Sequence, residues 1–159
     1  MQNDLKAARE AELHLEDFLP YRLSVLTNRV SSAIARHYSE RFDLGVPEWR
    51  VMAVLGGAPG LSAREVAAKT AMDKVQVSRA VASLIEARRV QSEPDAQDRR
   101  VTRLSLTPRG RAIYEEIVPL ALHLEAVLLS ALSAEEKAQL DRLLEKLSRR
   151  IGNLVAIDV

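Results

Sequence analysis

Ser62-Ala-Arg-Glu-Val-Ala-Ala-Lys-Thr-Ala-Met-Asp-Lys-Val-Gln-Val-Ser-Arg79 contains two helix starts eleven residues apart, and the rest of the chain is organised around them. Ser62 with Glu65 three residues on is a capping box, in which the serine oxygen and the glutamate each satisfy a free N–H at a helix start. The helix it opens, Ala63–Thr70, is short and alanine-rich. Asp73 can cap again, with Gln76 at the matching third position, and opens a second helix from about Lys74 to Arg88. Val77, Val81, Leu84 and Ile85 should face inward from it. Two such helices joined by a tight turn are a helix-turn-helix.

The segment after the second helix strengthens this assignment. Val90–Glu93 suits a short strand, Pro94–Asp98 a turn, and Val101–Leu106 alternates as a second strand. Asp98-Arg-Arg100 then sits at the tip of a hairpin placed directly after a helix-turn-helix, which is the position of a wing.

Helices flank this core on both sides. Leu23, Leu26, Val30, Ile34, Tyr38 and Phe42 recur at helical spacing, with Pro20 in the first turn and a stop near Asp43–Gly45. A shorter helix runs from Pro47 through Trp49, Val51, Met52 and Leu55, until Gly56–Gly60 breaks it. Thr107-Pro108 opens a long helix in which Pro119 should produce a kink. Ser133 and Glu136 cap a last helix striped by Leu140, Leu143, Leu144, Leu147, Ile151 and Leu154. The expected fold is mainly α with a small β-hairpin wing. One chain, 1–159, is divided into a winged helix-turn-helix region at 46–107 and dimerisation helices at 10–44 and 108–159.

Composition bounds the chemistry. The 159 residues carry 23 Lys+Arg against 22 Asp+Glu, and no cysteine, which excludes disulfides, thiolate metal sites and thiol redox sensing. The charge is uneven: residues 61–111 hold eleven basic and six acidic residues, for +5, while 1–60 stand at −1 and 112–159 at −3. A basic middle between acidic flanks fits a surface for a polyanion, or an ordinary solvated face. No apolar run approaches the roughly 20 residues of a membrane span, and Met1–Lys6 lacks the pattern of a signal peptide, so a cytoplasmic location without membrane contact is expected. There is no phosphate loop, nucleophile elbow or helical zinc motif. His14, His37 and His123 are scattered without ligand spacing. No catalytic residue, metal or cofactor is therefore assigned, and the chain is not read as an enzyme.

Met72-Asp-Lys-Val-Gln-Val-Ser-Arg79 and Asp98-Arg-Arg-Val-Thr-Arg-Leu-Ser-Leu-Thr-Pro-Arg-Gly110, in this order of elements, resemble the MarR/SlyA family of bacterial regulators over roughly residues 15–150. The most specific part is the wing signature at Asp98, Arg100, Leu104, Leu106, Thr107 and Gly110. The resemblance implies a winged-helix homodimer that represses transcription and often releases DNA on binding a small aromatic ligand. It also implies that Asp98 holds an arginine in place by a salt bridge. Two departures stand out. Arg88-Arg89 occupies a position where Gly-Leu is common, and Ser92 one where arginine is frequent. Glycine there would favour a left-handed turn at the helix end; with arginine, either the helix runs on or the strand starts elsewhere.

Candidate DNA-binding residues lie on both the second helix and the wing. Gln76 suits adenine and Arg79 guanine or a phosphate, Val77 suits a thymine methyl or the core, and Lys74 and Ser78 suit phosphates. Arg100 at the wing tip suits a narrow minor groove, with Arg99 and Arg103 as backbone contacts. Tyr21, Arg22, His37, Trp49 and Arg50 are candidates for a small-molecule effector pocket between the dimer helices and the winged domain, or else serve as core and surface ion pairs. Expected partners are double-stranded DNA, a second copy of the chain and a small aromatic or acidic effector. Rival readings are a helical protein-interaction module and a small-molecule carrier or enzyme without coupling to DNA.

Overall fold

The computed structural model describes residues 12–154, and the chain divides after Glu115 into two compact units. The first unit begins with α1 (Leu19–Ala35), whose Pro20 lies in the first turn. The sequence pattern predicts one helix to Phe42, but α1 stops at Ala35 and a separate turn, α2 (Ser39–Phe42), comes after it. Between them the N–H groups of His37 and Tyr38 bond back only three residues, to the carbonyls of Ile34 and Ala35. That tighter turn carries the Tyr38 ring into the core, whereas Leu23 and Leu26 on the same nominal stripe stay exposed. The apolar spacing thus serves two different surfaces. Asp43 closes α2 in the left-handed region at φ 48°.

Next comes α3 (Val46–Gly57), with Pro47 in its first turn. It ends at Gly57, within the Gly56–Gly60 stretch that the sequence reads as its break. A Cβ at Gly56 would overlap the Tyr114 ring, so this glycine also serves close packing. Arg111 donates to the Gly56 carbonyl at 3.0 Å and holds that end of the helix.

The capping box forms as the sequence predicts. Ser62 Oγ accepts from the Glu65 N–H, and the Ser62 N–H donates to Glu65 Oε2 at 2.8 Å, opening α4 (Ala63–Thr70). Asp73 accepts the Gln76 N–H at 2.8 Å and opens α5 (Lys74–Glu86). Val77, Ala80 and Leu84 are its buried face; Ile85, expected inside, is exposed. The helix ends without glycine: Arg88 sits at φ 56° and donates to the Ile85 carbonyl, while the Arg89 N–H reaches the Leu84 carbonyl at 2.8 Å. This is the paired closure of a Schellman motif, so the arginine adopts the turn that glycine favours and β1 still starts on time.

β1 (Val90–Pro94) pairs antiparallel with β2 (Thr102–Leu106), in register from Val90–Leu106 to Pro94–Thr102. Leu61 adds a single bridge to Leu104, which fastens the hairpin to the turn before α4. Thr107 Oγ1 accepts the Gly110 N–H and donates to the Arg88 carbonyl, starting α6 (Pro108–Leu129). That helix stays continuous across Pro119.

The second unit contains the later part of α6 and α7 (Ala134–Leu154). Ser133 and Glu136 form the second capping box, with the Ser133 N–H on Glu136 Oε2 at 2.8 Å. Leu140, Leu143, Leu144, Leu147 and Ile151 are all exposed along α7. No single helix among the described residues is long and apolar enough to cross a membrane.

Candidate nucleic-acid interface

The N-terminal turns of α5 present an outward face because the core takes only one side of the helix. Lys74, Gln76, Ser78 and Arg79 are exposed, as the sequence expects of residues that meet DNA. Neither Lys74 nor Arg79 forms an ion pair with another described residue. Val77 is a correction: at 1% exposure it is packed in the core and cannot reach a base. Val75, which is not among the residues expected at the interface, is 58% exposed. A signal for it was present, since Val75 falls off the apolar stripe by two residues, or about 200° of helix.

The wing is shaped by two aspartates. Asp95 Oδ1 accepts the N–H groups of Gln97 and Asp98, at 2.8 and 2.9 Å, folding the turn on itself. Its Oδ2 takes Arg103 Nε at 2.6 Å, and the same guanidinium reaches Glu65 Oε2 at 3.0 Å. The Asp98 N–H, then Arg103 and the Gln97 N–H, hold the Asp95 carboxyl down at about 2. Arg103 therefore braces the wing against the start of α4, and its guanidinium, expected from the sequence to contact the DNA backbone, is already engaged by two carboxylates. Asp98 does turn toward an arginine: its Oδ1 accepts the Arg100 N–H at 3.0 Å and lies 3.6 Å from Arg100 Nε. The Arg100 side chain is 94% exposed, and Arg99 beside it is also exposed. The stronger clamp, Asp95–Arg103, has no local signature in the sequence. Its members are eight residues apart and become neighbours only through the Pro94–Thr102 pairing.

A cavity of about 130 Å³ opens among Ser31, Ile34, Tyr38, Val46, Trp49 and Arg50. That is close to the roughly 150 Å³ in which a single benzene ring can be held. Trp49 lies 5.7 Å from the Tyr38 ring and 6.1 Å from the Tyr114 ring, between centroids. Arg50 Nη2 donates to Ser31 Oγ at 3.3 Å. Burial pushes the Tyr38 hydroxyl up to about 12, so it keeps its proton at neutral pH. Of the five expected effector residues, the cavity gathers Trp49 and Arg50. Tyr21, Arg22 and His37 are exposed and lie outside its lining, because the turn after α1 buries Tyr38 instead of its neighbour His37. Among the described residues no group of three or more His, Asp or Glu could hold a metal ion.

Residues 42–101, from the end of α2 to the tip of the wing, match the model of the MarR family. The chain is 34% identical over 95 residues to the HTH-type transcriptional regulator BilQ of Clostridium symbiosum, an alignment covering 60% of this chain and 66% of that one. It is 28% identical over 131 residues to the HTH-type transcriptional repressor Mb2911 of Mycobacterium bovis, covering 82% and 91%. Among solved structures it resembles BpsR of Bordetella bronchiseptica, whose DNA binding is regulated by 6-hydroxynicotinic acid. The TM-score there is 0.75 at 25% identity, covering 87% of this chain and 98% of that one.

Proposed function

Because the chain belongs to the MarR family of transcriptional regulators, which are not enzymes, we propose that it is a homodimeric repressor of a near-palindromic operator. A small aromatic or acidic effector would release it from DNA. The observation that carries this reading is the presence of two exposed cationic surfaces on one unit. The outward face of α5 holds Lys74, Gln76, Ser78 and Arg79, and the wing tip lifts Arg99 and Arg100 clear of the body. In such a unit the helix enters the major groove and the wing arginine reaches the minor groove. Gln76 and Arg79 would read base edges, while Lys74, Ser78 and Arg99 position the protein on phosphates.

The effector site is the Trp49–Arg50 cavity, where an aromatic wall, a protonated Tyr38 and a guanidinium suit one ring bearing a carboxylate. BpsR, a similar protein, responds to a ligand of that chemistry. The exposed leucines of α7 supply the apolar patch that a second copy would cover.

Selection of bound duplexes from a random DNA library at moderate salt tests the reading. The expected result is an inverted repeat with half-sites about one turn, or roughly 34 Å, apart. Uniform weak binding to every duplex, or none, would overturn it.

A further inference from the structure

We propose that Val75 reads the 5-methyl group of a thymine in each half-site, an inference that rests on the DNA-binding reading above. At 100° per residue, Val75 points about 170° away from the mean direction of the buried Val77, Ala80 and Leu84. It is therefore the residue of the first turn that faces most squarely outward. Arg79 and Ala82 continue along the same side. A β-branched residue loses rotamer freedom in a helix, and at 58% exposure Val75 gains little burial in return. Nothing among the described residues accounts for an apolar side chain at this point.

Its surroundings identify the occupant. Lys74 and Arg79 flank it on the helix, and Arg99 and Arg100 stand on the wing of the same unit, so the surface is made for a polyanion. Along the major groove of a duplex the bases present donors, acceptors and one apolar group, the thymine methyl. A valine among cations and hydrogen-bonding side chains is complementary to that group. Its stiffness also suits discrimination: χ1 has one strongly preferred rotamer, and the Asp73 cap on the Gln76 N–H fixes the turn that carries it.

The test replaces each thymine of a selected half-site, one at a time, with deoxyuridine, which removes only the methyl. The full-length protein should lose about fourfold in affinity per half-site at one thymine, the worth of one buried methyl group. Val75→Ala should show that loss on the thymine duplex and no additional loss on the uracil duplex. Val75→Thr, which keeps one methyl and the branch, should retain part of the preference. A mutation that merely weakened the helix would lower both affinities and leave the thymine–uracil ratio intact, and that result overturns the inference. So does a wild-type protein indifferent to every uracil, or selected half-sites without thymine. Failure of the wild type to bind any duplex would instead bring down the regulator reading on which this one rests.

Discussion

Arg103 reaches two carboxylates with one guanidinium, Asp95 at 2.6 Å and Glu65 at 3.0 Å, and so joins the wing to the first turn of α4. The Asp95 carboxyl, held near 2, keeps its charge far below the ordinary aspartate range. A depressed carboxyl contributes stability that is fully present above its unfolded value of 3.8 and is lost as pH falls through about 2. The Nε–H resonance of Arg103 should therefore hold steady from pH 7 to about 3 and move only below that; movement near pH 4 would show that the bridge is not formed. Arg100 is the opposite case, an arginine held loosely at 3.6 Å and left free to reach outward. Arg100→Ala should weaken binding most on A·T-rich flanks and reduce the salt slope by about one, while unchanged affinity would remove the wing from the mechanism. The exposed placement of Arg100 and Gln76 is legible in the sequence because a hairpin tip and a capped helix start are local signals. Asp95 and Val75 are harder to find there. The first needs strand register to meet its arginine, and the second needs knowledge of which side the core takes.

Among the elements, the turn from α5 to β1 shows how a local rule can be broken and still satisfied. Arg88 occupies a left-handed conformation that costs a non-glycine residue about 1 kcal/mol or more. The strain is over-determined by its neighbours. The Arg88 carbonyl takes the Thr107 hydroxyl at 2.8 Å, and Arg89 sends its guanidinium, 8% exposed, to the carbonyls of Phe42 and Asp43. Gly110 completes the joint, since a Cβ there would overlap the Arg89 carbonyl. Arg88→Gly should raise stability by about 1 kcal/mol, or roughly 2–4 °C in Tm for a chain of this size. Gly110→Ala should lower it by about 1–3 kcal/mol, because the close approach is to backbone that cannot swing aside. Thermal melts of the two variants should move in opposite directions; a stable Gly110→Ala would deny the joint its role. Caps and turns make these element starts readable. The break after Ala35 is hidden by an unbroken apolar spacing, whereas the glycine pair that ends α3 is a readable stop, and only the packing of Gly56 against Tyr114 needs the structure to be seen.

For the whole molecule, the row of leucines on α7 raises the question of assembly. Leu140, Leu143, Leu144, Leu147 and Ile151 repeat every three or four residues, yet every one is exposed. A helix of the single chain has no reason to keep such a stripe in water, and the cooperative cost of a long helix is ordinarily met by packing its apolar face. On the function proposed above, a second copy of the chain would supply that packing and would also place two α5 helices on one duplex. The pair Leu143→Glu, Leu147→Glu separates the alternatives. If the stripe faces solvent in the working protein, two exposed substitutions should change stability by no more than about 0.5 kcal/mol each and leave DNA binding intact. If it faces a second copy, the carboxylates meet an apolar interface that cannot pair them, and the dimer should dissociate. Sedimentation would then report a monomer, while circular dichroism retains the helices and wing of the first unit. Operator affinity should fall toward that of a single half-site and lose its dependence on half-site spacing. Retained spacing dependence in a monomeric variant would place the dimer contact elsewhere; a dimer unchanged by both glutamates would show that the α7 stripe is not the interface.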